Sequence, residues 1–225
     1  MCTHRYAGPM PARTYGQHCP LACALDLLGE RWTLLVVREL FGGARRYGDL
    51  QRGLPGIGTD LLTERLRKLE EAGVVGRRTL PAPASATVYE LTERGRELEP
   101  AVLALARFGL DLLGEAPQDA PPPPEHLALL LRALFDPGGA PDAPETWVLE
   151  AGDAVVAITA GPDGFQVDPG GAGDSEPAAR IGGDVPVLYD LVVGRLDAGA
   201  ALADGRLRVE GDPGALVRMR AAFPV

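Results

Sequence analysis

The stretch from Glu115 to Glu125, EAPQDAPPPPE, restricts the fold more than any other part of the 225-residue chain. Its four consecutive prolines fix φ and remove backbone donors, so no helix interior or central strand can run through them. They favour an extended polyproline spacer, and nothing beside them can build a core. The chain therefore reads as two folding units: a flexible tail over 1–18, one domain over 19–115, a linker over 116–125 and a second domain over 126–225. Charge divides the same way. Up to Glu115 there are 15 basic and 14 acidic residues, a net of +1, and the remainder holds 7 and 17, a net of −10, which together make the chain's −9. An acidic total argues against nucleic acid, but only when the chain is treated as one object.

Several classes drop out. The best apolar runs, around Leu34 to Val37 and Leu127 to Leu131, are cut by Arg38 and Arg132, far short of the roughly 18–20 residues of a membrane span. The opening residues lack the apolar segment of a secretory signal, and three cysteines make no disulfide framework, so a cytoplasmic protein without membrane attachment is expected. No enzyme is expected. The second half has no cysteine, one histidine (His126) and one serine (Ser175), too few for a nucleophile and its base, and no Gly-rich phosphate loop is followed by a lysine. His18, Cys19 and Cys23 lack a fourth ligand, so neither metal nor cofactor is expected.

Upstream of the spacer the period is helical. Pro20 to Leu28 reads as a helix from Pro20 at its first position and Gly29 as its stop, and Tyr47 to Arg52 as a short one, while Arg31 to Phe41, ended by Gly42 and Gly43, and Thr59 to Ala72 each carry one apolar stripe. Val74 to Leu80 and Thr87 to Leu91 form a hairpin. Thr92 then caps one long helix to about Gly114, with Leu98, Val102, Leu105, Phe108 and Leu112 on a single face. Short helix, Pro-Gly turn, longer amphipathic helix and hairpin is the order of a winged helix-turn-helix, which lays its second helix in the major groove.

The residues HCPLACALDLLGERWTLLVVRELFGGARRYGDLQRGLPGIGTDLLTERLRKLEEAGVVGRR, followed by TVYELTERG, resemble the HxlR-type regulators, a branch of the MarR-like winged-helix factors. The likeness runs from about Cys19 to Phe108. It includes the Cys-Pro step, Gly-x-Arg-Trp-Thr-Leu-Leu, Leu-Pro-Gly-Ile and Leu-Thr-x-Arg-Leu-x-x-Leu-Glu. It implies a homodimeric regulator of double-stranded DNA, dimerised through its terminal helices on a pseudo-palindromic operator, and a repressor is expected. Cys19 stands where some HxlR-type relatives carry an oxidant-sensing cysteine, and a thiol at a helix N-terminus is biased toward thiolate.

With Leu62, Leu66 and Leu69 facing inward, Asp60, Glu64, Arg67 and Lys68 are expected to face outward, with Thr59 and Thr63 beside them. These are the candidates for base edges and adjacent phosphates. Arg45, Arg46, Arg77 and Arg78 suit phosphates. Between Arg31 and Arg78 there are 10 basic and 6 acidic residues, a local net of +4 where a duplex would lie. Asp60 and Glu64 depart from the basic or amide residues common at these positions in the family.

After the spacer, the sequence implies an apolar helix (His126 to Phe135), strands at Trp147 to Glu150, Ala154 to Ala160, Gly164 to Val167 and Ala178 to Gly182, and a helix from Val185 to Val193. A strand at Arg206 to Val209 and a terminal helix from Pro213 to Phe223 follow. The end, with Gly-x-Leu-x-Val-Glu-Gly-Asp, resembles a sterol-carrier-protein-like domain, so the whole chain is of the α+β class. That resemblance implies an apolar ligand between helices and sheet, an effector for the regulator. Leu130, Leu134, Trp147, Phe165, Leu188, Val192, Met219 and Phe223 are the candidate lining residues. The competing reading is a lipid- or metabolite-binding or redox-sensing module whose winged helix mainly dimerises.

Overall fold

Pro20 opens the first helix where its missing N–H leaves no acceptor unpaired: α1 (Pro20–Leu28) follows the extended N-cap Cys19. The computed structural model describes residues 14–81, 85–114, 124–152, 154–169, 171, 173 and 176–224. They form two compact units, one ending at Val102 and the other beginning at Leu103. The tail expected over 1–18 lies mostly outside the described residues, but Tyr15 N–H donates to Asp26 Oδ1 at 2.9 Å and ties its last part to α1.

In the first unit α2 (Thr33–Leu40) starts later than the apolar pattern suggests, because its N-cap Trp32 sits in the left-handed region at φ 78°. Next come β1 (Arg45–Arg46), α3 (Tyr47–Gly53), α4 (Thr59–Glu71), β2 (Val75–Thr79) and β3 (Thr87–Leu91). The three strands pair antiparallel in the order β1-β3-β2. A strand of two residues has no period of its own, so β1 is created by its pairing with β3. Val36, Val37 and Leu40 of α2, Leu50 of α3 and Leu62, Leu66 and Leu69 of α4 share one core with Val75 and Leu91.

The single helix expected from Thr92 to Gly114 is two helices, α5 (Glu93–Arg96) and α6 (Glu99–Gly109), ending in a 3₁₀ turn at Leu110–Leu112. Pro100 is the cause. In an unbroken helix its ring would strike the carbonyl of Arg96 and its nitrogen could not bond it. The break at Glu97 and Leu98 places Pro100 in a first turn, where neither penalty applies. Thr92 does cap α5, accepting from Gly95 N–H at 3.1 Å.

The second unit holds α6 from Leu103 onward, then α7 (Pro124–Leu134), β4 (Glu145–Ala151), β5 (Ala154–Gly161), β6 (Gly164–Pro169) and β7 (Ala179–Gly183). α8 (Val185–Val192), α9 (Ala198–Ala203), β8 (Leu207–Gly211) and α10 (Ala215–Ala222) complete it. Its sheet runs β6-β5-β4-β7-β8, parallel between β4 and β7 and antiparallel elsewhere. Alternate residues of the strands, Trp147 and Leu149, Val156 and Ile158, are buried with Leu131, Leu134, Leu188, Leu191, Leu216 and Met219 from the helices. Helix α9 was not expected: AGAALA has no polar-apolar period, and its start is marked only by Asp197, which accepts from Ala200 N–H at 3.0 Å.

Helix α7 begins at Pro124 and so takes the last two residues of the expected linker; residues 115–123 lie outside the described part, as does Ser175. The unit boundary falls inside α6, not at the proline stretch. Arg107 Nε donates to the carbonyl of Ala133 at 2.9 Å, Leu110 packs on the second core, and Arg195 donates to the carbonyls of Leu113 and Gly114, the latter at 2.6 Å. Among the described residues no helix is long and apolar enough to cross a membrane.

Candidate nucleic-acid interface

Helix α4 turns Leu62, Arg65, Leu66 and Leu69 inward, which leaves Thr59, Asp60, Thr63, Glu64 and Arg67 exposed along one side. Arg65 is an unexpected member of the buried face. Its Nη2 donates to Glu30 Oε2 at 2.5 Å and its Nε to the carbonyl of Arg31 at 3.2 Å, so the turn after α1 is tied to α4. A cation in that stripe reads from sequence as a break in the pattern. Only the fold shows it to be an anchor.

Lys68, expected to face outward, is half-buried, because its ammonium lies 3.1 Å from Glu64 and 3.5 Å from Glu30. That ammonium, hydrogen-bonded to Glu64 and assisted by the charge of Arg65, holds the Glu64 carboxyl below the ordinary carboxylate range. Arg67 pairs with Glu71 one turn on. At the start of the helix Tyr47 O–H donates to the carbonyl of Thr59 at 2.8 Å, and Thr63 O–H donates to the same carbonyl at 2.9 Å. Tyr47 escaped the sequence reading, since a tyrosine at a helix start signals nothing by itself.

The four arginines expected on phosphates fall on two faces of the small sheet. Arg45 and Arg77 stand opposite Tyr89, while Arg46 and Arg78 stand opposite Val88, and neighbours in register share a face. Arg77 lies over the Tyr89 ring at 6.0 Å, and among the described residues no carboxylate pairs with it. Arg78 donates to both oxygens of Glu90, at 3.0 and 3.1 Å, and its charge is spent locally. Arg46 is exposed. Much of the local net charge of +4 is thus engaged within the fold, and Arg46 and Arg77 keep theirs for the surface.

Cys19 is half-buried, is a free thiol, and makes no capping bond to α1; Cys23 is disulfide-bonded. Among the described residues no group of three or more His, Cys, Asp or Glu side chains could hold a metal ion.

In the second unit most of the expected pocket residues form solid core. Leu134, Trp147, Leu188, Val192, Met219 and Phe223 are buried, and Trp147, Phe165 and Phe223 join Phe135 in one aromatic cluster, with Phe135 and Phe165 ring centres 4.4 Å apart. A cavity of about 30 Å³ lies elsewhere, between Leu127 of α7, Leu149 and Ala151 of β4, Val156 of β5, and Leu188 and Tyr189 of α8. Of the eight candidates Leu188 alone lines it. That volume has room for water but not for a drug-sized molecule. At the rim of this core Arg218 donates to both oxygens of Glu145, at 2.7 and 2.8 Å, and to Asp212 at 2.6 Å, while Trp147 Nε1–H donates to Glu145 at 2.7 Å.

Comparison with known proteins gives these two units their families. Residues 27–116 match the HxlR-like helix-turn-helix family, and residues 145–224 match the SCP-2 sterol transfer family. An HTH-type transcriptional regulator of Synechocystis is 44% identical over 103 residues, which cover 46% of this chain and 76% of that protein. A regulator of the same type from Mycobacterium tuberculosis is 40% identical over 111 residues, 49% of this chain and 63% of the relative. Among solved structures, the redox regulator HypR in its oxidized form is 34% identical, with a TM-score of 0.39 over 41% of this chain and 96% of its own. The reduced transcriptional regulator YodB of Bacillus subtilis is 32% identical, with a TM-score of 0.38 over 41% and 92%. The chain belongs to the HxlR-like helix-turn-helix family of transcriptional regulators, and it carries an SCP-2-like α+β region after its DNA-binding domain.

Proposed function

We propose that this regulator is a cytoplasmic, sequence-specific repressor that binds a pseudo-palindromic operator as a homodimer, one α4 helix per half-site. The supporting observation is the outer side of α4, where Thr59, Asp60, Thr63, Glu64 and Arg67 stand exposed on a helix anchored through Arg65 and Tyr47. In this reading Arg46 and Arg77 contact phosphates while the helix reads bases, with Arg45 close to them; Arg67, Lys68 and Arg78 are engaged by Glu71, by Glu64 and Glu30, and by Glu90, and contribute less. Dimerisation uses α6 and the turn after it, where Leu105, Phe108 and Leu112 are 55%, 74% and 76% exposed, the kind of exposed apolar side chains that mark an interaction surface.

The test is a gel-shift series on the operator recovered by selection from random duplexes. Arg46→Ala and Arg77→Ala should each weaken binding on all sequences and lower the slope of log K against log salt by about one. Unchanged affinity and slope in both variants would remove the phosphate assignment.

An apolar effector is proposed for the second unit. In the cavity beside α7 and α8, of about 30 Å³, a drug-sized ligand, which needs about 300 Å³ or more, would enter by displacing one of those helices. It would couple to DNA only by binding two states of the dimer unequally. A second reading concerns Cys19, whose free thiol at the start of α1 suits oxidant sensing. Operator affinity that diamide leaves alone, in wild type and Cys19→Ser alike, removes it.

A further inference from the structure

Which bases the DNA-binding reading calls for can be judged from the hydrogen-bond inventory of α4, and the inference below rests on that reading. Recognition helices contact base edges with the side chains of their first turns. In α4 these are Thr59, Asp60, Thr63 and Glu64, all exposed. A hydroxyl has one proton. Thr63 commits its proton to the carbonyl of Thr59 at 2.9 Å, and Tyr47, whose oxygen lies 3.3 Å from Thr63 Oγ1, commits its own to the same carbonyl at 2.8 Å. Thr63 therefore turns only lone pairs outward.

Asp60 as a carboxylate has acceptors and no donor, and Glu64 is kept ionised by Lys68. The nearest cations are held by carboxylates: Arg65 is buried on Glu30, Lys68 lies between Glu30 and one oxygen, Oε1, of Glu64, and Arg67 is a turn further on, beside Glu71. Thr59 can donate or accept. The base-reading end of α4 is thus acceptor-rich, the opposite of an arginine fork.

In the major groove the donors are adenine N6 and cytosine N4, whereas guanine O6 and N7 and thymine O4 are acceptors. A carboxylate set against guanine O6 would lose water and gain no partner. We infer that Asp60, Thr63 and Glu64 select half-sites in which the bases under the first two turns of α4 present exocyclic amino groups, cytosine or adenine, on the strand the helix faces. Guanine and thymine are rejected at those positions.

The test uses the full-length protein. Random duplexes are selected with wild type, Asp60→Asn and Glu64→Gln, and the positions whose preference moves between them mark the bases under α4. In the wild-type operator each cytosine or adenine there is then replaced by 2-pyrimidinone or unsubstituted purine, which lack the amine, and the same replacements outside the half-site serve as controls. Each loss of an amine under α4 should weaken binding roughly ten- to hundredfold beyond its control, and the amide variants should admit guanine or thymine. A wild-type preference for guanine or thymine at those positions, or less than twofold loss on amine removal at all of them, overturns the inference and leaves the DNA-binding reading standing. Failure of any duplex to enrich overturns both.

Discussion

Replacing Glu30 by alanine should destabilise the N-terminal unit more than replacing its partner Arg65 by methionine. The Arg65 side chain is 7% exposed and that of Glu30 44%. Arg65 Nη1 already lacks a hydrogen bond, with Glu64 3.6 Å away, so Glu30 supplies the one carboxylate hydrogen bond this guanidinium has among the described residues. Breaking a fully buried pair by removing one partner costs about 3–5 kcal/mol, since the other charge is left in a dry site. Glu30 is partly in water, which lowers the expected cost of Glu30→Ala to about 2 kcal/mol. Arg65→Met removes the buried charge itself and lets Glu30 hydrate, with a volume-conserving side chain in the core, so about 1 kcal/mol or less is expected. The double variant should sit near Arg65→Met. Urea unfolding followed by Trp32 fluorescence, with every protein in a Trp147→Phe background, reads this unit alone. With m of about 2 kcal/mol/M, Glu30→Ala lowers the midpoint by about 1 M. An Arg65→Met midpoint at or below that of Glu30→Ala would refute the reasoning that a stranded cation sets the cost.

Acid should loosen the second unit through Glu145 and Asp212, both held below their ordinary values chiefly by hydrogen bonds from Arg218. A lowered folded value means the stabilisation is complete above the unfolded values of 4.5 and 3.8 and is lost as pH falls through the folded ones. Stability measured from pH 6 down to about pH 3 should therefore fall less steeply in Arg218→Met than in wild type, and equal slopes would contradict the pairing. Gly95→Ala should destabilise the first unit by about 2 kcal/mol or more, because its Cβ would stand 2.2 Å from the carbonyl oxygen of Val74; a thermal midpoint within a degree of wild type would count against that contact. Phe108→Glu with Leu112→Glu should yield monomers in light scattering at concentrations where wild type is dimeric, and an unchanged mass would exclude this face from the interface.

Most helices of the first unit were legible because apolar periodicity or terminal punctuation marks them. Pro20 and Gly29 bracket α1, and Leu62, Leu66 and Leu69 place α4 within a residue of its observed end. Pro100 was just as visible, yet the apolar run through Phe108 hid its effect, since a helical period survives a break that the backbone does not. In the second unit bulk and apolarity nominated a pocket, but those properties mark core and ligand wall alike. Leu127 and Tyr189, which line the cavity with Leu188, have nothing distinctive in sequence.

What the chain determined by itself is local and additive: two units, their families, and the residues of α4 that could meet DNA, whereas the boundary between the units lies inside α6 and not at the proline run. The tertiary structure decided how each charge and each proton is used. Arg78 and Lys68 lie near carboxylates distant in sequence, Arg65 is drawn inside by Glu30, and Thr63 and Tyr47 share one carbonyl. A side chain's availability depends on partners brought to it by folding, and such partners leave no periodic trace in the sequence.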